Sequence, residues 1–493
     1  MKRVLLTSHK FFPEHRAGTE VLTLKIAQEL QRRGYVVKVV SACPPDLDAR
    51  RKEEHEQQGD SYQYDYEGVP VHIVSEALRL RDYEFSYEYY HPLIKSHFSG
   101  VIADFKPDLV QIVHAQNLSA SIIEAAQAQS VPVVFYSTDF WFVCPIVQLK
   151  RPDGQVCRGP GPLALKCLDC YTPKLLPPAK EVMQAIEGRY PALAGALSGS
   201  PAIVYDSAAF CLSTAFNALK APPAVAATLE RPSVLRRLAN QLDAIFVPTG
   251  LMRDIFVENG IKKDLIEKVG FGIDTSKLVN HRQKKPSQVL RIGFVGTFFE
   301  HKGVDLLLKA FLALSVAPVK DEKQLQIKPG EIYPEQFAGA ELKLYGDPGQ
   351  FPEYFAKLKE IVDKGGPMAE HVHFLGTFPN DKLGEIFEEI DVLVVPSRWY
   401  ENTPLVMQSA LATATPLIVT DLGGMAELVQ EGVNGLLFKL NDFKHLSKQL
   451  AELLKSPAKL KQFAANIKPE RTVGDMVDDI ESIYAKVLAK RLK

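Results

Sequence analysis

A length of 493 residues exceeds what one ordinary hydrophobic core supports, so two to three domains are expected. With 46% apolar residues, 24% charged residues and a formal net charge of -1, the composition is that of a globular protein without the basic surplus that binds nucleic acid. The apolar run after Met1-Lys2-Arg3 is too short for a signal peptide, and no stretch reaches the roughly 18 apolar residues that span a bilayer. We therefore expect a cytoplasmic protein without a nucleic-acid partner, and leave open peripheral contact with the inner face of a membrane.

Short runs of β-branched residues alternate with amphipathic helical stretches in the first half of the chain. Strands are predicted at Val4–Thr7, Val36–Ser41, Asp108–Val113, Val133–Tyr136 and Asp243–Val247. Helices are predicted near Glu20–Arg33, Ala120–Gln127 and Met252–Asn259. This alternation is typical of a parallel sheet with helices on both faces.

The alternation restarts in the second half. A helix is predicted at Val304–Leu314, among strands at Arg291–Val295, Glu341–Leu344, His371–Leu375, Asp391–Val395 and Pro416–Val419. The restart predicts a second sheet, joined to the first near Gly272-Ile273-Asp274.

Three segments do not follow the alternation. Asp46–Tyr66 is polar and charged and is interpreted as a surface loop, as is Val319–Gly339 with its Lys, Glu and Pro residues. Pro178–Arg237 is interpreted as an inserted, mainly helical stretch.

The most informative motif runs from Pro396 to Leu405. A buried strand ends before it, and a helix is predicted to begin at Thr403-Pro404, because Thr is a good N-cap and Pro needs no N–H at the first helical position. Free N–H groups at such a helix start can bind a diphosphate. Glu401 lies just before it, where a carboxylate could accept hydrogen bonds from sugar hydroxyls; the alternative is an ordinary strand–helix junction with a solvated glutamate.

Two further motifs occur at predicted strand ends. Lys302 stands between a strand that ends at Gly296 and the next helix, where it could neutralise charge on a leaving diphosphate. Gly423 and Gly424 lie between a strand and a helix, and paired glycines allow a ligand to approach the backbone closely. A surface lysine and a plain tight turn are the alternatives. The segment after the first strand contains Gly18 but no G-x-G-x-x-G, which argues against a dinucleotide site.

Taken together, these motifs resemble the retaining GT-B-fold glycosyltransferases of glycosyltransferase family 4, the glycosyl transferases group 1. The resemblance implies an α/β architecture of two Rossmann-like, doubly wound parallel-sheet domains that face each other across a cleft. It places the acceptor-side domain at 1–272, with a cysteine-containing insertion at about 144–240. The donor-binding domain would be 273–473, and a C-terminal helix at 474–493 would pack back on the first domain.

The resemblance also implies roles for individual residues. Lys302 would grip the donor phosphates, Glu401 would hold the transferred sugar, and Gly18 would lie where the acceptor meets the donor phosphate. The remaining donor-site residues it implies are Gly296, Thr297, Arg398, Asn402, Thr403, Pro404, Leu405, Val406, Ser409, Gly423 and Gly424. The partners would be a nucleoside-diphosphate sugar and a carbohydrate or lipid-linked glycan acceptor, and no cofactor would be needed for catalysis.

Three positions depart from the family pattern. Ser409 stands where a second glutamate usually grips the ribose, Thr297 where many members have Arg, and Thr138 where many have His. Asp139 and His114 are the candidate catalytic groups that would replace the histidine. A catalytically silent binding protein of a glycan-assembly complex would explain these departures directly, and a sugar-nucleotide epimerase of the same fold is a further alternative.

Four of the six cysteines fall close together, with the last two in a C-x-x-C motif. They are Cys144, Cys157, Cys167 and Cys170. In a reducing compartment, such clustering favours a metal over disulfides, and four thiolates complete a structural zinc site. Unligated thiols and redox or iron–sulfur chemistry are the alternatives.

Overall fold

The computed structural model describes residues 2–42, 59–161, 163–175, 202–315 and 322–491, although the side chains of 172–175, 202–220 and 322 are not described. The chain divides into two compact units. The first comprises Met1–Phe246, Asp254–Glu267 and Val487–Lys493, and the second comprises Val247–Arg253 and Lys268–Lys486. Most of the first half of the chain therefore lies in one unit and most of the second half in the other.

The first sheet has eight strands in the order β3-β4-β2-β1-β5-β6-β7-β8. Its strands are β1 (Arg3–Ser8), β2 (Val36–Ala42), β3 (Ser61–Tyr66), β4 (Val69–Val74), β5 (Leu109–Ile112), β6 (Val133–Tyr136), β7 (Ala244–Val247) and β8 (Ile266–Lys268). β1 pairs in parallel with both β2 and β5, so the chain moves outward in both directions from a central first strand. β3 and β4 form an antiparallel hairpin.

Helices follow the strands as crossovers, as parallel pairing requires. Those of the first half are α1 (Gly18–Arg32), α2 (Glu76–Leu80), α3 (Pro92–Phe105), α4 (Ser121–Gln127), α5 (Leu168–Leu175), α6 (Ala202–Ala239) and α7 (Gly250–Glu258). The strand centres are buried, as expected when helices cover both faces of a sheet.

The second sheet has six strands in the order β11-β10-β9-β12-β13-β14. They are β9 (Val289–Val295), β10 (Gly339–Tyr345), β11 (Val372–Gly376), β12 (Val392–Val395), β13 (Leu417–Thr420) and β14 (Gly435–Phe438). Each strand of this sheet pairs in parallel with its neighbours. The topology reverses between β9 and β12, and in open α/β sheets ligands bind at the carboxyl ends of the strands beside such a point.

The helices of the second half surround this sheet. They are α8 (Val304–Leu312), α9 (Pro352–Asp363), α10 (Leu383–Glu388), α11 (Leu405–Ala412), α12 (Gly423–Ala426), α13 (Phe443–Lys455), α14 (Pro457–Asn466) and α15 (Val473–Arg491). A continuous core joins α8, α13 and the strands through residues such as Ile292, Phe311, Val394 and Leu450.

A buried ion pair fixes β9 against β12. Arg291 contacts Asp391 through Nη2 at 2.6 Å and Nε at 3.0 Å, and the Tyr333 hydroxyl donates to the same carboxylate at 2.9 Å. The two charged side chains are almost fully buried, so each depends on its partner for the hydrogen bonds that water would otherwise supply. This pair holds together the two strands between which the sheet topology reverses.

The sequence-based interpretation was wrong at Ser61–Tyr66, which is strand β3 instead of loop. Its polar residues alternate with tyrosines, and one face is polar because the hairpin lies at the edge of the sheet. Residues 46–58, 178–201 and 319–321 of the predicted loops and insertion lie outside the described residues. Ala202–Ala239 confirms the helical character of the rest of the insertion. None of the described helices is long and apolar enough to cross a membrane.

Candidate active site

Glu401 lies in the loop between β12 and α11, and its side chain is only 10% exposed. Three donors converge on one carboxylate oxygen, Oε1. These are the ammonium of Lys302, the indole Nε1 of Trp399 at 2.8 Å and the hydroxyl of Ser397 at 3.0 Å. All three bonds end on Oε1 and none on Oε2. They hold the carboxylate in one orientation and leave Oε2 out of this set of contacts.

Gly303 brings Lys302 to this carboxylate. The residue has φ +71° and stands between a short 3-10 turn, Glu300–Lys302, and helix α8. A Cβ at this position would lie 2.0 Å from the carbonyl oxygen of Pro396, so no side chain fits. The close approach joins the loop after β9 to the loop after β12, which are neighbouring strands.

The charge of Glu401 is set by these contacts. Burial raises the pKa of Glu401, but the ion pair with Lys302 and the hydrogen bonds from Trp399 and Ser397 outweigh it, so the net pKa lies below the usual value. The Lys302 ammonium also lies 5.5 Å from the centre of the Trp399 ring, within cation–π range. The site therefore holds the Glu401 carboxylate in contact with the Lys302 ammonium.

The Gly423-Gly424 turn packs directly on the backbone of the Glu401 loop. Gly424 N–H donates to the Glu401 carbonyl at 3.1 Å, and a Cβ on Gly424 would lie 2.0 Å from the Asn402 carbonyl oxygen. Gly423 has φ +68°, which favours glycine. In this structure, the glycine pair supports the loop, a role that sequence reasoning did not assign to it.

Arg398 points away from the Glu401 carboxylate. Its Nη2 donates to Asp305 Oδ2 at 2.8 Å, and the Tyr354 hydroxyl donates to the other oxygen of Asp305 at 2.9 Å. Arg398 therefore ties the loop to helix α8. Thr297 and Gly296 lie at the end of β9, where the Thr297 carbonyl accepts from the Phe299 N–H at 2.9 Å.

Helix α11 begins one residue later than the sequence predicts. Pro404 is the N-cap, with ψ 125°, and Leu405 is the first helical residue; no side chain caps the helix. Pro404 accepts a bond from Met407 N–H at 2.9 Å, which tightens the first turn. Ser409 is buried and its hydroxyl donates to the Leu405 carbonyl at 3.0 Å, so the hydroxyl is used within the helix itself.

The candidate residues of the first unit form a separate cluster. His114 Nδ1 accepts from the Gln116 N–H at 3.0 Å, which places the ring hydrogen on Nε2, and Nε2 donates to Asp139 Oδ2 at 2.7 Å. The ring of His9 lies 4.3 Å from that of His114. Burial, then the electrostatic effects of His114, Lys10 and His15, hold the pKa of His9 well below its ordinary value.

Glu20 completes this cluster. It is 1% exposed, and its Oε1 lies 3.5 Å from His9 Nε2. Burial raises the pKa of Glu20, and backbone hydrogen bonds only partly offset this effect. Gly18 starts helix α1 two residues earlier, and a Cβ there would meet no atom within 4 Å, so the space beside it is open.

The four clustered cysteines line one small cavity of about 20 Å³, together with three basic side chains. The basic residues are Lys150, Arg151 and Lys166. All four thiols are free, and Cys144 is buried. As the side chains stand, no three His, Cys, Asp or Glu residues among those the structure describes are arranged to hold a metal ion.

Sequence reasoning did not assign roles to several residues of these clusters. Trp399 and Ser397 stood inside the strongest motif, but only their contacts reveal that both bond Glu401. His9 follows the first strand without any spacing signal, so sequence alone could not have found it.

Two family models match parts of the chain. Residues 279–469 match the family Glycosyl transferases group 1, and residues 17–159 match the Glycosyl transferase 4-like domain. Both regions are therefore similar to glycosyltransferase domains, and the sequence-based resemblance is confirmed to that extent.

Curated relatives agree with this assignment. A D-inositol 3-phosphate glycosyltransferase of Corynebacterium urealyticum is 32% identical over 33% of this chain and 34% of its own length. The mannosyltransferase LpsB of lipopolysaccharide core biosynthesis, from Rhizobium meliloti, is 28% identical over 36% of this chain and 44% of its own. An uncharacterized glycosyltransferase of Methanocaldococcus jannaschii is 27% identical over 47% and 52%. The chain therefore spans about half, or less, of the length of these relatives.

Solved structures show the same fold at low sequence identity. Anabaena HepE in complex with UDP-glucose has a TM-score of 0.59 and 14% identity, over 99% of this chain and all of that one. Sucrose-phosphate synthase from Thermosynechococcus elongatus has a TM-score of 0.60 and 13% identity, over 99% and 100%. The predicted GT-B fold, with two parallel-sheet α/β domains, is confirmed.

Proposed function

We propose that this chain is a retaining glycosyltransferase that moves a sugar from a nucleoside-diphosphate sugar to a carbohydrate or lipid-linked glycan acceptor. The observation that carries the proposal is the buried Glu401–Lys302 pair at the carboxyl end of β12, inside the domain that matches the glycosyl transferases group 1. The UDP-glucose complex of HepE and the ADP complex of Arabidopsis starch synthase IV support a nucleotide sugar as the donor.

Lys302 and the start of α11 would receive the donor diphosphate. The Lys302 ammonium, which contacts Glu401 here, would bind a phosphate oxygen of the donor. The close packing of Gly303 on Pro396 fixes the turn that carries this lysine. No side chain caps α11, so the amides of Leu405 and Val406 would be available to a diphosphate oxygen, whereas that of Met407 already bonds the Pro404 carbonyl. Both groups would stabilise negative charge on the leaving diphosphate as the bond to the sugar breaks.

Glu401 would hold the transferred sugar. Its carboxylate is ionised and fixed in orientation by Trp399 and Ser397, so it can accept hydrogen bonds from two sugar hydroxyls. The sugar carbon would separate from the diphosphate oxygen and bond the acceptor oxygen on the same face. The acceptor hydroxyl proton would pass to the departing diphosphate.

His114 and Asp139 are assigned to the sugar-hydroxyl contacts of the first unit. The dyad presents an imidazole held by a carboxylate at 2.7 Å, a hydrogen-bonding pair just after the ends of β5 and β6. Thr138, next to it, is bonded to the Thr19 hydroxyl at 3.1 Å and therefore helps to hold the start of α1. The proposed transfer needs no metal ion, as the family resemblance implies.

Release of nucleoside diphosphate from UDP-, GDP- and ADP-sugars tests the proposal. Glu401→Gln and Lys302→Met should each lower the rate with the preferred donor by about 100-fold or more, because each removes a charge that stabilises the transition state. The matched control is Lys285→Met, which breaks an exposed ion pair with Glu389 of the same unit and should leave the rate unchanged. Near-wild-type rates in both site variants would reject the site.

The same assay separates the alternatives. A silent binding protein would bind the nucleotide, as measured by calorimetry, but release none from any donor in the presence or absence of acceptors. An epimerase would convert the donor sugar into its epimer without net transfer, which chromatography of the nucleotide sugars detects.

A further inference from the structure

The four cysteines of the insertion come from three separate stretches of chain and converge on one cavity. Cys144 follows the first-unit segment that contains Asp139, Cys157 lies on a small hairpin, and Cys167 and Cys170 lie at the start of α5. The hairpin is closed by the bridge between Lys150 and Val156. Four thiols from three stretches of chain therefore line the same cavity, an arrangement that a single metal ion can use.

The cavity has the size of one ion. Its volume of about 20 Å³ accommodates a single water-sized species, whereas an iron–sulfur cluster would need far more space. A tetrahedral thiolate site for zinc has sulfurs about 2.3 Å from the metal, which fits a cavity of this size.

Backbone amides donate hydrogen bonds to two of the four sulfurs. The backbone N–H of Gly159 donates to Cys157 Sγ at 3.4 Å, and the backbone amides of Ile146 and Leu149 hydrogen-bond Cys144. Each of these two cysteines accepts a hydrogen bond from the backbone N–H of the residue two positions later, Gly159 for Cys157 and Ile146 for Cys144. Such bonds stabilise a metal-bound thiolate, as outer contacts do for other ligands.

The surrounding charges fit as well. Zinc with four thiolates carries a net charge of about −2, and the cavity is lined by Lys150, Arg151 and Lys166. Arg231, 1% exposed and paired with Glu88, also interacts electrostatically with Cys144 and Cys167. The three basic side chains that line the cavity would offset the negative charge of a zinc–thiolate centre.

We propose that Cys144, Cys157, Cys167 and Cys170 bind one structural zinc ion that fastens the insertion to the end of the first sheet. The thiols as they stand do not surround one point. Each sulfur turns about a single side-chain bond, however, and neutral thiols have no attraction that would draw them together before the metal binds. The ion would fix the segment that follows Asp139, and it takes no part in sugar transfer.

Metal content of the purified full-length protein tests this proposal. Protein from zinc-supplemented cells should contain about one zinc per chain by mass spectrometry, and chelation should lower the melting temperature. Cobalt substituted for zinc should give the intense thiolate-to-cobalt charge-transfer absorption of four sulfur ligands, a readout that needs no variant. Zinc-free protein with an unchanged melting temperature under chelation would overturn the proposal, and so would stoichiometric iron with sulfide.

Variants identify the ligands. Cys170→Ser and Cys157→Ser should each lose most of the zinc, and the cobalt absorption should fall with it. Pro160→Ala, which changes the lining of the same cavity at a residue that bonds none of the sulfurs, should keep the full equivalent. Retention of one zinc per chain in a folded double variant, Cys157→Ser with Cys170→Ser, would overturn the ligand set. This result is independent of sugar transfer, so failure here and failure of the proposed function are distinguishable.

Discussion

Trp399 supplies one of the three hydrogen bonds that hold the Glu401 carboxylate. Trp399→Phe keeps an aromatic ring near Lys302 but removes the N–H, so the pKa of Glu401 should rise from its lowered value. Because the carboxylate form is the active one, activity is lost as the pH falls through this pKa, and the acid limb of the kcat/KM profile should move to higher pH. A bond to a charged group contributes about 1.5–3 kcal/mol, so kcat/KM at neutral pH should fall roughly 10-fold or more. An acid limb that stays in place would show that Trp399 does not position Glu401.

Ser409 occupies the position where a second carboxylate is usual in the family that this chain resembles. Its hydroxyl donates its hydrogen to the Leu405 carbonyl, so this hydrogen is not available to a ribose hydroxyl. Ser409→Glu should tighten nucleotide binding by about 1–2 kcal/mol, the range of charge-assisted hydrogen bonds. Calorimetric titration with the preferred nucleotide measures this directly. Equal or weaker binding by a variant that keeps the wild-type melting temperature would show that the ribose is held elsewhere.

At the scale of secondary-structure elements, the segment before β9 carries a lysine that is almost completely buried. Lys284 Nζ donates to the Phe387 carbonyl at 2.6 Å and to the Thr415 hydroxyl, and so links α10 to the start of β13. Burial lowers the pKa of Lys284 to about 7; Asp391 opposes this effect and Arg291 adds to it. The unfolded chain keeps the ordinary value of 10.5, so between the two values the unfolded state binds one proton more than the folded state.

The free energy of unfolding should therefore rise with pH above about 7, as folded Lys284 loses its proton. Below that pH Lys284 is charged in the folded protein, and burying its charge destabilises the fold by the full amount. Relative to Lys284→Met, the wild type should gain up to ~1.4 kcal/mol of unfolding free energy per pH unit between pH 7 and 9. Urea unfolding at several pH values measures this difference. Lys285→Met, the exposed neighbour, serves as the control and should show no such pH trend; an equal trend in both variants would contradict the assignment.

Sequence patterns predicted most elements because parallel strands buried on both faces are short, β-branched runs that contrast sharply with amphipathic helices. They failed at β3, where tyrosines alternating with Ser, Gln and Asp look like a polar loop until β4 is known to pair with them. Glu401 and Lys302 could be proposed from the sequence because each lies in a loop that follows a strand. The indole bond of Trp399 could not, because nothing in the sequence shows the local turn that brings its ring nitrogen to Glu401 two residues later. The spacing of the cysteines did predict that four thiols meet, and the structure places all four at one cavity.

At the scale of the whole molecule, the two sheets reproduce the GT-B architecture, while the candidate groups remain distinct: an imidazole–carboxylate dyad in the first unit and an ammonium–carboxylate pair in the second. Under the proposed function, the leaving diphosphate binds to the second unit. The topology of that unit's sheet reverses between β9 and β12, where ligands of open α/β sheets bind. Function is therefore expected to depend most on the second unit's charges, and least on the exposed ion pairs elsewhere, which contribute little in water.

The central claim is that the chain transfers a sugar with retention of configuration, and the anomeric form of the first product tests it most directly. Proton NMR would follow the preferred α-linked nucleotide sugar during turnover with water or an acceptor, with Glu401→Gln as the matched inactive variant. We predict that the α anomer or α linkage appears first, before mutarotation, and that Glu401→Gln forms it at least about 100-fold more slowly. Initial formation of the β product would contradict retention. Absence of any product from UDP-, GDP- and ADP-sugars would contradict sugar transfer itself.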